Sequence, residues 1–190
     1  MDNKVSNKKI MLSTIKQIYA SVVWTHKTQE KEAEIYRDVF NNLEIINIVL
    51  IAITSTGIIY YFIDNNRIVG IIACIISFCA LCITLFKKIF DPLRLFNEHK
   101  NAANLLLGFR DKLLILISEI CIGDNLDEIS KKLKKINDDL HILYCDIPST
   151  GHKALKMAEK SLKNGEYTFS EEEINRFLPP YLRSLEDDIS

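Results

Sequence analysis

Two long apolar runs without a charged residue lie near the middle of the chain, separated by four polar residues. The runs cover residues 45–63 and 68–86, so each contains 19 residues. At the rise of an α-helix, each run spans about 28 Å, close to the hydrocarbon thickness of a bilayer. The pattern therefore predicts two membrane-spanning helices joined by a tight turn at residues 64–67. A soluble hairpin that is buried inside the protein is the alternative.

A periodic stripe leads into the first apolar run. Its members recur at alternating intervals of three and four residues, and the chain has no Pro or Gly before residue 57. This spacing predicts one long helix from about residue 8 to residue 63, with one face turned to a partner helix. The stripe contains Leu12, Ile15, Tyr19, Val22, His26, Gln29, Ala33, Tyr36, Phe40, Leu43, Asn47 and Leu50.

A new helix is predicted to begin after the second apolar run. Asp91 is suited to cap its N-terminus, and Pro92 is suited to its first position. Its stripe has the same period, so we expect the two stripes to pack as an antiparallel helical pair. The second stripe contains Leu95, His99, Ala102, Leu106, Phe109, Leu113, Leu116 and Ile120.

The remaining pattern is also helical. Apolar positions at helical spacing predict helices over residues 126–143 and 154–162, and a capping box at 170–173 predicts a last short helix ending at Pro179. No segment alternates with the period of a strand. We therefore expect an all-α fold, a two-transmembrane helical hairpin with long cytoplasmic helical extensions forming a bundle. Its parts are residues 1–44, 45–86 and 87–190, together one domain.

Positive charge around the two runs predicts their orientation. The mean hydropathy of +0.06 and the net charge of -1 resemble those of a soluble protein, because these averages do not show where the charged residues lie along the chain. Seven basic residues flank the outer ends of the runs, whereas the turn has only Arg67, so both termini are expected in the cytoplasm. The seven are Lys27, Lys31, Arg37, Lys87, Lys88, Arg94 and Lys100.

Motifs for catalysis or cofactor binding are absent from the sequence. It has no P-loop, GxSxG, HExxH or GxGxxG motif and no paired Cys and His cluster. We therefore expect no enzyme activity, catalytic residue, metal or cofactor, and the five cysteines are interpreted as small packing residues. Aromatic residues interleaved with basic ones, which are typical of nucleic-acid binding, are also absent, so no nucleic-acid partner is expected.

Three polar residues interrupt the stripes outside the membrane. His26 and Gln29 lie on the first stripe and His99 on the second, so helix pairing predicts a buried polar layer. Such a layer fixes helix register and oligomer number, or it binds a ligand or switches with protonation. The sequence favours the first role.

A second polar set lies inside the predicted spans. Gly70, Cys74, Ser77 and Thr84 recur on one face of the second span, while Asn47 and Thr54 share a face of the first. Small faces allow helices to approach closely, within the hairpin or between subunits. The alternative is that this face lines a pore once several hairpins assemble. Because one hairpin encloses no channel, a pore requires a homo-oligomer.

The chain resembles a known family in three features. They are the segment VWTHKTQ at residues 23–29, the tight hairpin, and the segment YCDIPSTGHKA at residues 144–154. In their order and spacing these features are similar to those of the SLATT family, the SMODS and SLOG-associating two-transmembrane effector domains. The resemblance extends over essentially the whole chain.

The resemblance implies an effector of bacterial antiviral defence in the inner membrane. Such a protein stays inactive until a partner senses infection, and then oligomerises to form a pore or disrupt the membrane, causing cell death or arrest. The implied partner is a nucleotide second-messenger synthase or another sensor protein of the same system. The alternative function is a non-conducting, membrane-anchored helical scaffold or sensor that recruits defence partners.

Overall fold

The computed structural model describes residues 2–123 and 125–163, and these residues form five helices with short connections. No strand occurs in this part of the chain, which confirms the predicted all-α class. The capping box at 170–173 and the last short helix lie outside the described residues. The five helices are α1 (Asp2–Asp64), α2 (Arg67–Phe90), α3 (Pro92–Ile122), α4 (Leu126–Asp146) and α5 (His152–Ser161).

The described residues divide into two compact units. Residues 2–32 and 98–163 form the first, which we call the core unit, and residues 33–97 form the second, which we call the hairpin unit. Because α1 has no internal Pro or Gly until Gly57, it runs without interruption through residues of both units.

The core unit is built around the two predicted stripes. Ile15 and Val22 of α1 are fully buried with Leu106 and Leu113 of α3, which confirms that the stripes pack together. Helix α4 adds Ile129 and Leu140 to the same cluster. Burial of these apolar side chains away from water is the main force that stabilises the unit.

The hairpin unit pairs the second half of α1 with α2 in antiparallel register. Asn47 of α1 bonds to Thr84 of α2, and a Cβ atom on Gly57 would lie 3.2 Å from the Cβ atom of Ala73. Small side chains therefore bring the two backbones close together. Lys87 of α2 forms an ion pair with Glu44 of α1 at the end of the hairpin away from the turn.

Asparagine and aspartate residues determine where the helices of the hairpin unit begin and end. Asn65 has a positive φ of 53°, which asparagine tolerates better than most residues, and Asn66 accepts a hydrogen bond from the Ile68 amide to cap α2. Asp91 ends α2 with a φ of 42° and accepts a bond from the Arg94 amide. Asp91 therefore caps α3 as predicted, and Pro92 occupies the first position of that helix.

Both apolar runs belong to helices that are long and apolar enough to cross a membrane. Only 11 % of the most apolar window of each helix is buried, which is unlike the core helix of a soluble protein. The packing role expected for the cysteines of α2 is wrong within the single chain, because Cys74, Cys79 and Cys82 are all exposed.

Substitution of Leu113 tests the packing of the core unit. Leu113→Ala is expected to lower the free energy of unfolding by about 2–5 kcal/mol, because the side chain is fully buried and leaves a cavity. The matched control is Leu105→Ala on the same helix, where Leu105 is 48 % exposed, with a cost within about 0.5 kcal/mol. Chemical denaturation in detergent, followed by loss of helical circular dichroism, measures both changes. Equal costs would contradict the packing described.

Candidate functional site

The polar layer predicted from the stripes is present in the core unit. His99 of α3 lies with its Nδ1 atom 2.6 Å from Oε1 of Gln29 on α1, and His26 lies with Nδ1 2.9 Å from the carbonyl oxygen of Ala103. Because an amide oxygen only accepts, both imidazoles donate from Nδ1. All three polar side chains are buried, with exposed fractions between 2 % and 8 %.

The connection between α4 and α5 is bound to the same part of α1. Nε2 of Gln29 donates to the carbonyl oxygen of Pro148 at 2.8 Å, and the Gly151 amide donates to Oε2 of Glu32 at 2.8 Å. Gln29 therefore bridges two elements, because its oxygen accepts from His99 while its nitrogen donates to this loop. The loop, residues 147–151, belongs to the segment that supports the family resemblance.

Gly151 lies against the carboxylate of Glu32. A Cβ atom at this position would lie 3.5 Å from both carboxylate oxygens, which is ordinary van der Waals contact. The bond from the Gly151 amide also partly compensates the cost of burying the Glu32 carboxylate, which is 7 % exposed.

Burial controls the charge of His99. Removal from water lowers its pKa below the ordinary value, while the carboxylates of Glu32 and Glu98 act in the opposite direction. Nearby, burial raises the pKa of Glu30, but the hydrogen bond and the charge of Lys27 outweigh it and leave that pKa lowered. The layer therefore favours a neutral His99 beside an ionised pair of Lys27 and Glu30.

Sequence patterns identified part of this site. Gln29 and His99 are in direct contact, and His26 lies one turn away on α1 but bonds to the backbone of α3. His141 and His152, which lie outside the layer, are both exposed. Glu32 was missed because it lies outside the stripe, within a mixed-charge surface. Its partner, the amide of Gly151, lies in the loop that follows α4, and no pattern in the sequence links that loop to Glu32.

The second predicted set, inside the apolar runs, is divided by the structure. Asn47 and Thr54 are buried in the contact between α1 and α2, and Thr84 shares a hydrogen bond with Asn47 at 3.3 Å. Gly70 lies beneath the ring of Tyr61, where a Cβ atom would be 3.0 Å from Cδ2. These four residues serve the hairpin contact itself.

Cys74 and Ser77 are exposed instead. The buried line of α2 contains Ala73 and Ala80, so it is displaced from the predicted small face by one residue. Most hydroxyl groups of the apolar runs bond to the carbonyl four residues earlier, as Thr54, Thr56 and Thr84 do. Ser77 makes no hydrogen bond within the part of the chain that the structure describes. Its role in pore lining or assembly stays a prediction.

Two kinds of chemistry are available at these residues. The polar layer joins α1, α3 and the loop at 147–151 by hydrogen bonds, and the exposed hydroxyl of Ser77 offers a polar contact within the second apolar run. Within residues 2–123 and 125–163, no group of three or more His, Cys, Asp or Glu side chains is placed to hold a metal ion.

Fold and site together define a class of protein, an all-helical membrane protein with a two-helix hairpin and a helical core unit that contains a polar layer. The chain belongs to the SMODS and SLOG-associating 2TM effector domain family 4, whose profile matches residues 11–173. This match confirms the resemblance read from the sequence. Membership makes the chain a two-transmembrane effector-domain protein that is associated with SMODS and SLOG proteins. Comparison with curated proteins and with solved structures finds no match.

Replacement of Gln29 tests the bridge in the polar layer. Gln29→Leu leaves the His99 Nδ1–H group and the Pro148 carbonyl without this partner, at a cost of about 1–3 kcal/mol for each group that stays buried. Gln17→Leu is the matched control, because Gln17 is exposed on the same helix. Denaturant unfolding in detergent gives the free energies. Similar values for the two variants would show that the bridge contributes nothing.

Acid is expected to weaken the core unit through His99. Because the pKa of His99 in the folded chain lies below its unfolded value, the unfolded chain binds more protons at acidic pH. The stability is thus complete above the unfolded pKa of about 6.5 and declines as the pH falls through the folded pKa. Thermal unfolding at about pH 7.5 and about pH 5.5 measures the decline.

His99→Gln is expected to reduce this pH dependence, whereas the exposed control His152→Gln retains it. The pH is held above about 5 so that carboxylates, whose ordinary pKa values are near 4, stay ionised. A pH dependence that is identical in wild type and His99→Gln would assign the effect to other groups.

Proposed function

We propose that this chain is a non-enzymatic membrane effector of a bacterial antiviral defence system. On a signal from a nucleotide-processing partner, its hairpins assemble in the inner membrane into a pore that causes cell death or arrest. Family membership supports the effector role and the partner class, since the family is named for its association with SMODS and SLOG proteins. The basic residues that flank the runs support an orientation with both ends in the cytoplasm.

The single observation that carries the pore proposal is the exposed hydroxyl of Ser77. Around it, α2 presents isoleucine and phenylalanine side chains suited to lipid, including Ile75 and Phe78, which are 60 % and 66 % exposed. A hydroxyl at this depth gains stability from water or from a polar group of another chain. Several hairpins arranged with Ser77 inward would place this polar position of α2 along a shared axis.

Assembly of hairpins also fits the close packing within each one. Asn47, Thr84 and the small residues at Gly57 and Ala73 already fix α1 against α2, so a hairpin enters an oligomer as a preformed element. The charged residues Glu44 and Lys87 are paired with each other and do not oppose insertion as isolated charges.

Substitution of Ser77 by arginine tests the pore. Ser77→Arg is expected to abolish the current, because it places a ring of positive charge along the channel axis. Cys79→Arg is the control at the same depth, on another side of the helix. Each arginine costs about 2.5–3.5 kcal/mol for insertion at the centre of a span, so the free-energy cost of insertion is the same for the two variants. A potential-sensitive dye in cells that express the chain with its proposed nucleotide-processing partner reports membrane depolarisation.

Wild type and Cys79→Arg are expected to depolarise the membrane, while Ser77→Arg does not. Immunoblots of the membrane fraction confirm equal insertion of the three proteins. A membrane potential that survives full activation of the wild type would contradict the pore. Absence of current in a reconstituted bilayer would favour the scaffold or sensor function instead.

A further inference from the structure

A groove of about 640 Å³ lies at the turn end of the hairpin unit, between the end of α1 and the beginning of α2. Its walls are almost entirely apolar, and its one charged member is Arg67. Residues that line it include Ile58 and Phe62 from α1, and Arg67, Gly70, Cys74 and Ile75 from α2.

Gly70 and Tyr61 both line the groove. The ring of Tyr61 occupies the space where a side chain at position 70 would stand, and the apolar trough of the groove runs beside these two residues. The trough continues along α2 to Cys74 and Ile75, which are exposed. From Arg67 to Ile75 it extends about 12 Å along the helix axis.

Charge is confined to one end of the groove. Arg67 forms no ion pair within the described part of the chain, and the nearby Asp64 accepts a hydrogen bond from the Tyr60 hydroxyl. Arg67 is also the first residue of α2, where the helix dipole adds positive potential. Since the groove lies at the end of the two apolar runs, this charge stands at the level of lipid phosphates.

We propose that the groove binds one glycerophospholipid of the surrounding leaflet. Its phosphate pairs with the Arg67 guanidinium, which is suited to bidentate bonds with phosphate oxygens, and one acyl chain lies in the trough along Gly70 and Cys74. The groove has one cation at its open end and an apolar trough behind it. A glycerophospholipid has the complementary arrangement, with an anionic phosphate at one end and acyl chains at the other. The site needs only a single hairpin, so it does not depend on pore formation.

Lipid retention by the purified full-length chain tests the proposal. Native mass spectrometry in detergent with added dioleoylphosphatidylglycerol is expected to show one tightly retained lipid per chain. Arg67→Gln is expected to weaken retention about tenfold, because it removes the charged partner of the phosphate. Lys88→Gln, which removes an exposed positive charge at the other end of α2, is the charge-matched control and retains the lipid.

The acyl site is tested separately. Cys74→Trp fills the trough and is expected to prevent retention, whereas Cys79→Trp places the same bulk at an exposed position that does not line the groove. Dioleoylglycerol, which lacks the phosphate, is expected to bind weakly and equally to wild type and Arg67→Gln.

Two results would overturn the proposal. One is unchanged retention of dioleoylphosphatidylglycerol by either Arg67→Gln or Cys74→Trp. The other is a change of oligomeric state in Cys74→Trp without loss of lipid, which would assign the groove to a second copy of the chain. Retention by the Lys88→Gln and Cys79→Trp controls excludes a general loss of folding or of charge as the cause.

Discussion

One stripe along α1, with a residue every three or four positions, is the constraint on which both units depend. In the core unit the stripe buries Ile15 and Val22 against α3, and there the hydrophobic effect supplies the stability. In the hairpin unit the stripe turns Asn47 toward α2, and Thr54 and Gly57 continue it at the same spacing. Lipid is as apolar as the helices themselves, so this second contact relies on close approach and hydrogen bonds. The same helical spacing therefore supports burial of apolar side chains in the core unit and close packing with hydrogen bonds in the hairpin unit.

The polar layer gives the core unit its specificity. Buried polar groups are tolerated only when they are paired, and Gln29 achieves this by bonding to His99 with its oxygen and to Pro148 with its nitrogen. Glu32 and Gly151 add a second connection between α1 and the loop at 147–151. An apolar substitute at position 29 would still pack, but it would not determine where the loop is bound. The register-fixing role of the layer stays a prediction, and the lowered pKa of His99 is the basis for the acid dependence expected above.

The helices and their buried faces could be predicted from the sequence, whereas contacts between residues that are distant in the sequence were harder to predict. Periodicity predicted the helices, the stripe of α1 and the contact of Gln29 with His99, because each is encoded over a few helical turns. The contact face of α2 was predicted only in part, because Gly70 and Thr84 contact α1 whereas Cys74 and Ser77 are exposed. A helix that is apolar on all sides has no polar side to orient it. The contact of Glu32 with Gly151 joins residues that are 119 positions apart, and no local pattern encodes it. Exposure of Cys74, Cys79 and Cys82 was missed because small side chains suit lipid contact as well as packing.

In the assembled effector, we propose that the side of α2 marked by Ser77 faces water. Thiol labelling by a charged, membrane-impermeant reagent measures this exposure to water. Two variants are compared, one with Ser77→Cys as its only thiol and one that retains only Cys79. Activation by the partner is expected to make the thiol at position 77 reactive, while Cys79 stays unlabelled in lipid. Equal labelling of both thiols, or labelling of neither after activation, would contradict it.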